Sequence, residues 1–291
     1  MSVSALVLAL LSSLSVAGSL FIVSAGLTLV FGALRVINLA HGTFYMYAAF
    51  MVATIVGTAT GEQFWLALAL APLSVAALGI LVEVAVMRRA YRQGHLVQLL
   101  ATYGVLLILA DVALHLWGTT PRSVSGPAIL AGSVSFPGGA FPEYDLFVIG
   151  AAVVVGLALW ALLARTAFGW RIRGAVQDVE LLSAQGTNVR VLFSVVFGLG
   201  ALLAGIGGAL ITPIQGVAPG MDQSILVSAF IVAVIGGLGS TAGAALGALI
   251  IALFEAAGTL WVPSWAPAFL YLAMIVVLAV RPTGLLGVRE R

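Results

Sequence analysis

The chain has 291 residues, of which 62% are hydrophobic and 8% are charged, and its mean hydropathy is +1.20. Soluble domains carry about 25% charged residues, so this composition excludes a fold whose whole surface faces water. The absence of cysteine excludes disulfides, zinc–thiolate sites and thiol catalysis. The twelve basic residues are all arginine, and their formal net charge of +2 against the acidic residues excludes a basic nucleic-acid-binding surface.

Long apolar segments, separated by proline, glycine or charge, predict membrane-spanning helices. About 20 apolar residues in a helix cross the hydrocarbon core of a bilayer, and a helix satisfies its own backbone hydrogen bonds there. The sequence therefore predicts an all-α, polytopic membrane helix bundle with about 8–10 transmembrane segments in a single domain, 1–291. The first segment is longer than the hydrophobic part of a signal peptide and is expected to remain as a helix. The predicted segments are 5–31, 43–60, 64–87, 96–117, 146–164, 191–212, 224–235, 242–258 and 266–280.

Arginines predict the orientation, since arginines in short loops stay on the cytoplasmic side. With the N-terminus outside and nine crossings, eleven arginines and the C-terminus lie inside, and Arg122 lies outside. The same topology makes 118–145 an extracytoplasmic loop, which either covers a pore or meets a partner, or is an ordinary connection with interfacial aromatic residues. It also places four acidic residues outside: Glu62, Glu143, Asp145 and Asp222.

Three polar side chains lie in a short break between the first two apolar segments: Arg35, Asn38 and His41. At membrane depth each of them must find a protein partner or water. We interpret them as candidates for gating a translocation path. The alternative is that they end one helix, start the next and bond local backbone groups.

The segment 224–258 contains a glycine-rich interruption, Gly236, Gly237, Gly239 and Ser240. Consecutive glycines disfavour a continuous helix, so this segment is predicted to be broken or re-entrant, giving either nine crossings or seven and a hairpin. Transporters use such breaks along their substrate path, and these four residues are the second part of the candidate path. Close helix packing through small residues is the alternative. An intramembrane serine protease that uses Ser240 is disfavoured, because every histidine precedes residue 116.

The segment 165–190 is predicted to be a cytoplasmic loop that contains one short amphipathic helix. Ala175, Val179 and Leu182 recur with helical spacing on one face, and Gly186 provides a C-terminal stop. Such a helix can lie in a groove of a partner protein, whereas a helix on solvent or on the lipid surface is the alternative. The residues assigned to coupling with a partner are Ala175, Asp178, Val179, Leu182 and Gly186.

Three stretches resemble the permeases of bacterial branched-chain amino-acid ABC importers. They are VFGALRVINLAHGTFYMYAAF at 30–50, VIGGLGSTAGAALGALI at 234–250 and RPTGLLG at 281–287, in the order that the family has. The segment 165–190 lies where such permeases place the helix that docks on the ATPase. Gln177 and Thr187 depart from the family pattern there, which leaves the identity of the partner ATPase open.

The resemblance implies a membrane-spanning permease subunit, not an enzyme, in the bacterial cytoplasmic (inner) membrane. It implies a second homologous permease, two cytoplasmic ATPase subunits and an extracytoplasmic substrate-binding protein as partners, with branched-chain or other hydrophobic amino acids as cargo. No cofactor is expected in this chain, because it has no lysine and therefore no phosphate-binding G-x-x-x-x-G-K-[ST] loop, so ATP would be bound by partner subunits. The alternative is an ion-coupled secondary transporter of a small polar or amphipathic solute, which needs acidic residues near the membrane midplane.

Overall fold

The computed structural model describes residues 3–57, 63–136 and 139–287, and most of these residues are helical. A π-helical turn, Glu83–Met87, joins the third and fourth helices into one continuous stretch. The α-helices are α1 Val3–Leu34, α2 His41–Val56, α3 Phe64–Val82, α4 Arg88–Ala90, α5 His95–Trp117, α6 Glu143–Arg165, α7 Ala167–Gln177, α8 Val179–Ala184, α9 Val189–Gln215, α10 Met221–Gly236, α11 Thr241–Trp261 and α12 Ala266–Val280.

Nine helical stretches of the described chain are apolar enough to belong to a membrane bundle. Six of them are also long enough to cross a bilayer, namely α1, the α3–α4 stretch, α5, α6, α9 and α11. Three are shorter, and these are α2, α10 and most of α12. The polytopic helix bundle is therefore confirmed, whereas the number of crossings stays a prediction that depends on the three shorter helices.

Helix α9 lies at the centre of the bundle, between α1, α2 and α3. Its glycines allow the neighbouring backbones to approach closely. A Cβ atom at Gly200 would lie 2.4 Å from Cγ2 of Val30 in α1, and one at Gly208 would lie 2.1 Å from the carbonyl oxygen of Tyr45 in α2. The high glycine content thus serves tight packing around α9.

The connection between α5 and α6 contains a small β-hairpin that the sequence did not predict. Strands β1, Ser133–Phe136, and β2, Gly139–Pro142, pair antiparallel. Arg122 forms a β-bridge with Val217, which follows α9, and Phe141 is buried. The connection is therefore folded against the bundle.

The two ends of the bundle differ in charge. At one end, which we call the arginine end, five arginines line one cavity: Arg35, Arg88, Arg89, Arg92 and Arg190. At the other, which we call the hairpin end, lie β1, β2 and Arg122. The structure thus gathers these five arginines at one end, as the orientation argument requires, and the compartment at each end stays a prediction.

Candidate functional site

Helix α2 begins in the middle of the bundle rather than at its edge. After Arg35 the chain is non-helical up to Ala40 and turns back alongside α1. The Nε2 atom of His41 lies 2.9 Å from the carbonyl oxygen of Val23. Val23 precedes the end of α1 at Leu34 by eleven residues, which at 1.5 Å per residue corresponds to about 16 Å.

Helix α10 begins at the same depth, from the opposite direction. Val217 is still paired with Arg122 at the hairpin end, and a non-helical stretch then leads to Met221. A Cβ atom at Gly42 would lie 2.1 Å from the carbonyl oxygen of Asp222, so the first turns of α2 and α10 are in contact. From this point α2 runs towards the hairpin end and α10 towards the arginine end.

We call this meeting point the N-terminal junction and define it by Asn38, His41, Gly42 and Asp222. Its polar side chains are buried, with relative exposures of 0% for Asn38, 1% for His41 and 2% for Asp222. The Oδ1 atom of Asn38 accepts a hydrogen bond of 3.1 Å from the backbone N–H of Ala40. Nevertheless Nδ2 of Asn38, Nδ1 of His41 and Oδ2 of Asp222 have no partner among the described residues. A buried polar atom without a partner costs about 1–3 kcal/mol, so three of them at one place indicate a functional site.

Asp222 was missed as a candidate, and its predicted position in an outer loop is wrong. The non-helical stretch 216–220 carries the chain inward before α10 starts, which buries Asp222 inside the bundle. The available signal was an acidic residue in the first turn of an apolar segment, directly after a stretch that contains Pro219 and Gly220. A second polar feature lies beside it, because a cavity of about 610 Å³ is lined in part by Tyr45, Gln223 and Glu255.

Arg35 does not join Asn38 and His41, although the sequence grouped the three. It follows α1 at the arginine end, where its side chain is exposed and lines the cavity of that end. Its φ angle is +53°, and among the described non-glycine residues it alone has a positive φ. Its backbone N–H donates to the carbonyl oxygen of Phe31 at 2.8 Å and closes the last turn of α1.

The glycine-rich interruption is present, and it lies at the arginine end rather than at the junction. Gly237 and Gly239 have φ angles of +99° and +88°, which separate α10 from α11. A Cβ atom at Gly239 would lie 3.3 Å from Cα of Gly32 in α1. Ser240 caps α11, since its Oγ accepts a hydrogen bond of 3.0 Å from the N–H of Gly243. Close packing accounts for these residues, and a re-entrant course stays a prediction.

The C-terminal motif 281–287 packs on this interruption. The N–H groups of Leu285 and Leu286 donate to the carbonyl oxygens of Ile235 and Gly236, each at 2.9 Å. These carbonyls belong to the last turn of α10 and would otherwise lack a helical partner. Two of the three stretches that carry the family resemblance therefore form one structural unit.

The predicted coupling segment consists of two helices, so the prediction of one continuous amphipathic helix is wrong. Asp178 has an extended backbone, and its Oδ1 accepts hydrogen bonds of 2.9 Å from the N–H groups of Glu180 and Leu181, which starts α8. As a result Ala175 and Leu182 are buried, whereas Val179 is 39% exposed and does not share their face. Gly186, with φ +84°, ends α8 as predicted.

The exposed surface of α7 and α8 carries large apolar side chains among polar ones, which helical spacing did not show. Trp170 and Leu181 are exposed at 68% and 57%, and Val176 and Val179 are also exposed. Buried Ile172 fixes α7 against the rest of the chain. Large exposed apolar side chains at the polar end of a membrane bundle are typical of a protein-binding surface.

The chain matches a known family over nearly its whole length. The family model described as "Branched-chain amino acid transport system / permease component" matches residues 9–278. The high-affinity branched-chain amino acid transport system permease protein BraD of Pseudomonas aeruginosa is 27% identical over 96% of this chain and 94% of its own length. The corresponding LivH protein of Escherichia coli is 28% identical over 91% of this chain and 90% of its own length. The fructose import permease protein FrcC of Rhizobium meliloti is 33% identical over 46% of this chain and 40% of its own length. No solved structure matches.

Proposed function

Because the chain belongs to the family of permease components of branched-chain amino acid transport systems, we propose that it is the membrane-spanning subunit of an ATP-binding-cassette importer. Its cargo is a branched-chain or other hydrophobic amino acid, and partner ATPases bind the ATP. The observation that carries this proposal is the match over nearly the whole chain to permeases named for that cargo. No cofactor and no catalytic step are assigned to this chain.

The translocation path passes the N-terminal junction. Two helix N-termini meet there, and each carries a partial positive charge that favours a carboxylate. Among the described residues, the unpaired Oδ2 of Asp222 and Nδ1 of His41 provide acceptors for an ammonium group, whereas the unpaired Nδ2 of Asn38 provides a donor for a carboxylate. This combination of charges suits a zwitterionic amino acid better than a neutral sugar, although a relative over less than half of the chain is named for fructose.

Gating and coupling lie at the arginine end, which is the cytoplasmic side in this proposal. The glycine interruption at Gly236, Gly237, Gly239 and Ser240 lets α10 and α11 tilt, while Arg35 lies at the inner mouth of the path. The exposed face of α7 and α8 receives an ATPase subunit, held in place by buried Ala175 and Leu182. The assembly contains a second homologous permease, two ATPases and an extracytoplasmic binding protein, with the N-terminus of this chain outside.

A second candidate function has one observation in its favour. An ion-coupled secondary transporter needs an acidic residue inside the bundle, and Asp222 is such a residue. In that case an ion gradient, and not ATP, would drive uptake.

Uptake in proteoliposomes distinguishes the two functions. The permeases, ATPases and binding protein of the system are reconstituted, and labelled leucine and fructose are offered with and without ATP on the ATPase side. We expect leucine uptake that requires both ATP and the ATPase subunits. Uptake by the permease chain alone under a proton or sodium gradient would overturn the importer and support the second candidate.

A further inference from the structure

The arginine end encloses a cavity of about 1050 Å³ whose charge is strongly one-sided. The five arginines that line it come from three separate parts of the chain: Arg35 after α1, the group around α4, and Arg190 in the first turn of α9. Among the residues that the structure describes, Glu83 is the one acidic residue in the lining. The rule that places arginines on the cytoplasmic side of a membrane does not require them to line one cavity.

Glu83 pairs with one of the five arginines through Oε2, while its Oε1 atom is buried without a partner among the described residues. One of its carboxylate oxygens accepts hydrogen bonds from Nε of Arg88, at 3.2 Å, and from the hydroxyl of Ser194. Within the described chain, the side chains of Arg35, Arg92 and Arg190 have no acceptor. The cavity therefore presents several guanidinium groups whose charge the chain does not neutralise.

Tyr91 adds a neutral donor to the same lining. Its hydroxyl is buried without a partner among the described residues. Burial, and then the negative charge of Glu83, raise the pKa of Tyr91, so its hydroxyl keeps its proton. Five guanidinium groups and a hydroxyl donor beside a single carboxylate match a ligand rich in acceptors and negative charge.

The backbone at Arg35 points to the same conclusion. A left-handed conformation at a residue with a Cβ atom costs roughly 1–2 kcal/mol, and glycine is the usual residue at this position after a helix. The strained conformation places a guanidinium at the cavity, where an arginine has a use that glycine lacks.

The opposite wall identifies the class of ligand. It is formed by the junction of α7 and α8, including Val176, Gln177 and Val179, and the apolar side chains of Val176 and Val179 are also exposed on the outer surface of these helices. A protein seated on that surface reaches the cavity directly, and the cavity is large enough for several side chains. We propose that the arginine cavity receives an acidic segment of the cytoplasmic protein that docks on α7 and α8.

This proposal rests on the proposed function, because it takes the ATPase subunit as the docked protein. Charge complementarity of this kind mainly accelerates association and selects the partner, and salt weakens it. Two permeases with similar apolar docking faces could thus select different ATPases through the charge in this cavity.

The test measures the dissociation constant between the full-length permease, in detergent, and its ATPase subunit, using the double variant Arg92→Gln/Arg190→Gln. We expect an increase of at least about tenfold at low salt that largely disappears near about 0.5 M salt. The charge-preserving variant Arg92→Lys/Arg190→Lys is expected to stay close to the unmodified chain. Arg122→Gln, which removes an arginine at the hairpin end, is the matched control and is expected to leave binding unchanged.

Each other outcome has a defined meaning. If Ala175→Arg abolishes binding while the double variant binds normally at low salt, α7 and α8 dock the ATPase but the cavity proposal is wrong. If no ATPase binds the unmodified chain, the proposed function fails as well. If the double variant instead loses binding to phosphatidylglycerol vesicles with normal ATPase affinity, the cavity holds a lipid headgroup and the proposal is overturned. Unfolding temperatures of all variants identify any variant that is misfolded.

Discussion

The two non-helical breaks before α2 and α10 have the same outcome but are built from different residues. Each leads into a helix of 16 residues that begins inside the bundle. The break before α10 obtains its turns from glycine, with φ +70° at Gly216 and +88° at Gly220. The break before α2 has its positive φ at Arg35 and is held by Asn38 and His41. The comparison indicates that glycine conformations shape the second break, whereas polar side chains hold the first, and each break leads to a polar group of the N-terminal junction.

The helices that follow the two breaks run in opposite directions from a shared starting point, the contact of Gly42 with Asp222. Transporters place broken helices of this kind along their substrate path.

The largest expected effect comes from adding a methyl group at the contact between the first turns of α2 and α10. A Cβ atom in Gly42→Ala would lie 2.1 Å from the backbone oxygen of Asp222, so α2 and α10 must separate. We expect a loss of about 3 kcal/mol or more in the free energy of unfolding. Gly104→Ala, in α5, is the matched control, because no atom of the described residues lies within 4 Å of its Cβ position. Denaturation in mixed detergent micelles measures both, and equal stabilities would show that the two helices do not touch in this way.

The next largest effect concerns the acidic group that only the second break contributes. Asp222→Asn keeps the shape of the side chain and removes its charge. We expect leucine uptake to fall by about tenfold or more, while stability stays equal or rises, because a neutral amide replaces a buried negative charge. Asp145→Asn is the control, since Asp145 also lies in the first turn of a helix, α6, but away from the junction. Normal uptake by Asp222→Asn would remove the junction from the translocation path.

The first break is tested at its own polar group. In His41→Ala the carbonyl oxygen of Val23 keeps its bond within α1 but loses the bond from Nε2, and a cavity replaces the buried imidazole, which together cost about 1–3 kcal/mol. In His41→Gln an amide N–H can take the position of Nε2. We expect uptake to fall in both variants and stability to fall mainly in the alanine variant. If glutamine restored full uptake, His41 would be a structural anchor of the break and not part of the path.

The membrane helices could be predicted from the sequence because the length of each apolar segment determines them. Apolar spacing was not sufficient to predict the helices of the coupling segment. The spacing of Ala175, Val179 and Leu182 fits one helix, but the side chain of Asp178 bonds the following backbone N–H groups more favourably as a cap, and the helix divides. The spacing of apolar residues does not show whether the cap at Asp178 or a continuous helix is more stable. It also shows no exposed partner surface, since Trp170 and Leu181 match a buried face equally well.

Of the polar residues of the N-terminal junction, Asn38 and His41 could be predicted from the sequence, and Asp222 was not. Asn38 and His41 interrupt an apolar run, and this alone marks them, because polar groups at membrane depth are costly. Asp222 was assigned to a loop, because it stands at the edge of a run and loops are the usual place for such residues. Only the path of the chain through Gly216 and Gly220, which returns to the middle of the bundle, brings Asp222 against Gly42.

The smallest expected effect separates the backbone of the first break from its chemistry. Arg35→Gly and Arg35→Ala both remove the guanidinium, but only glycine tolerates φ +53° without strain. We expect the glycine variant to be more stable than the alanine variant by about 1 kcal/mol, measured by denaturation in micelles. Both should weaken ATPase binding equally, because the lost charge is the same. A more stable glycine variant would mean that the backbone at Arg35 is strained in the unmodified chain. The chain would then keep an arginine at the cavity at the cost of this strain, whereas the break before α10 uses glycine for its positive φ angles. If the two variants were equally stable, the strain would be absent, and the contrast between the breaks would lie in their polar side chains alone.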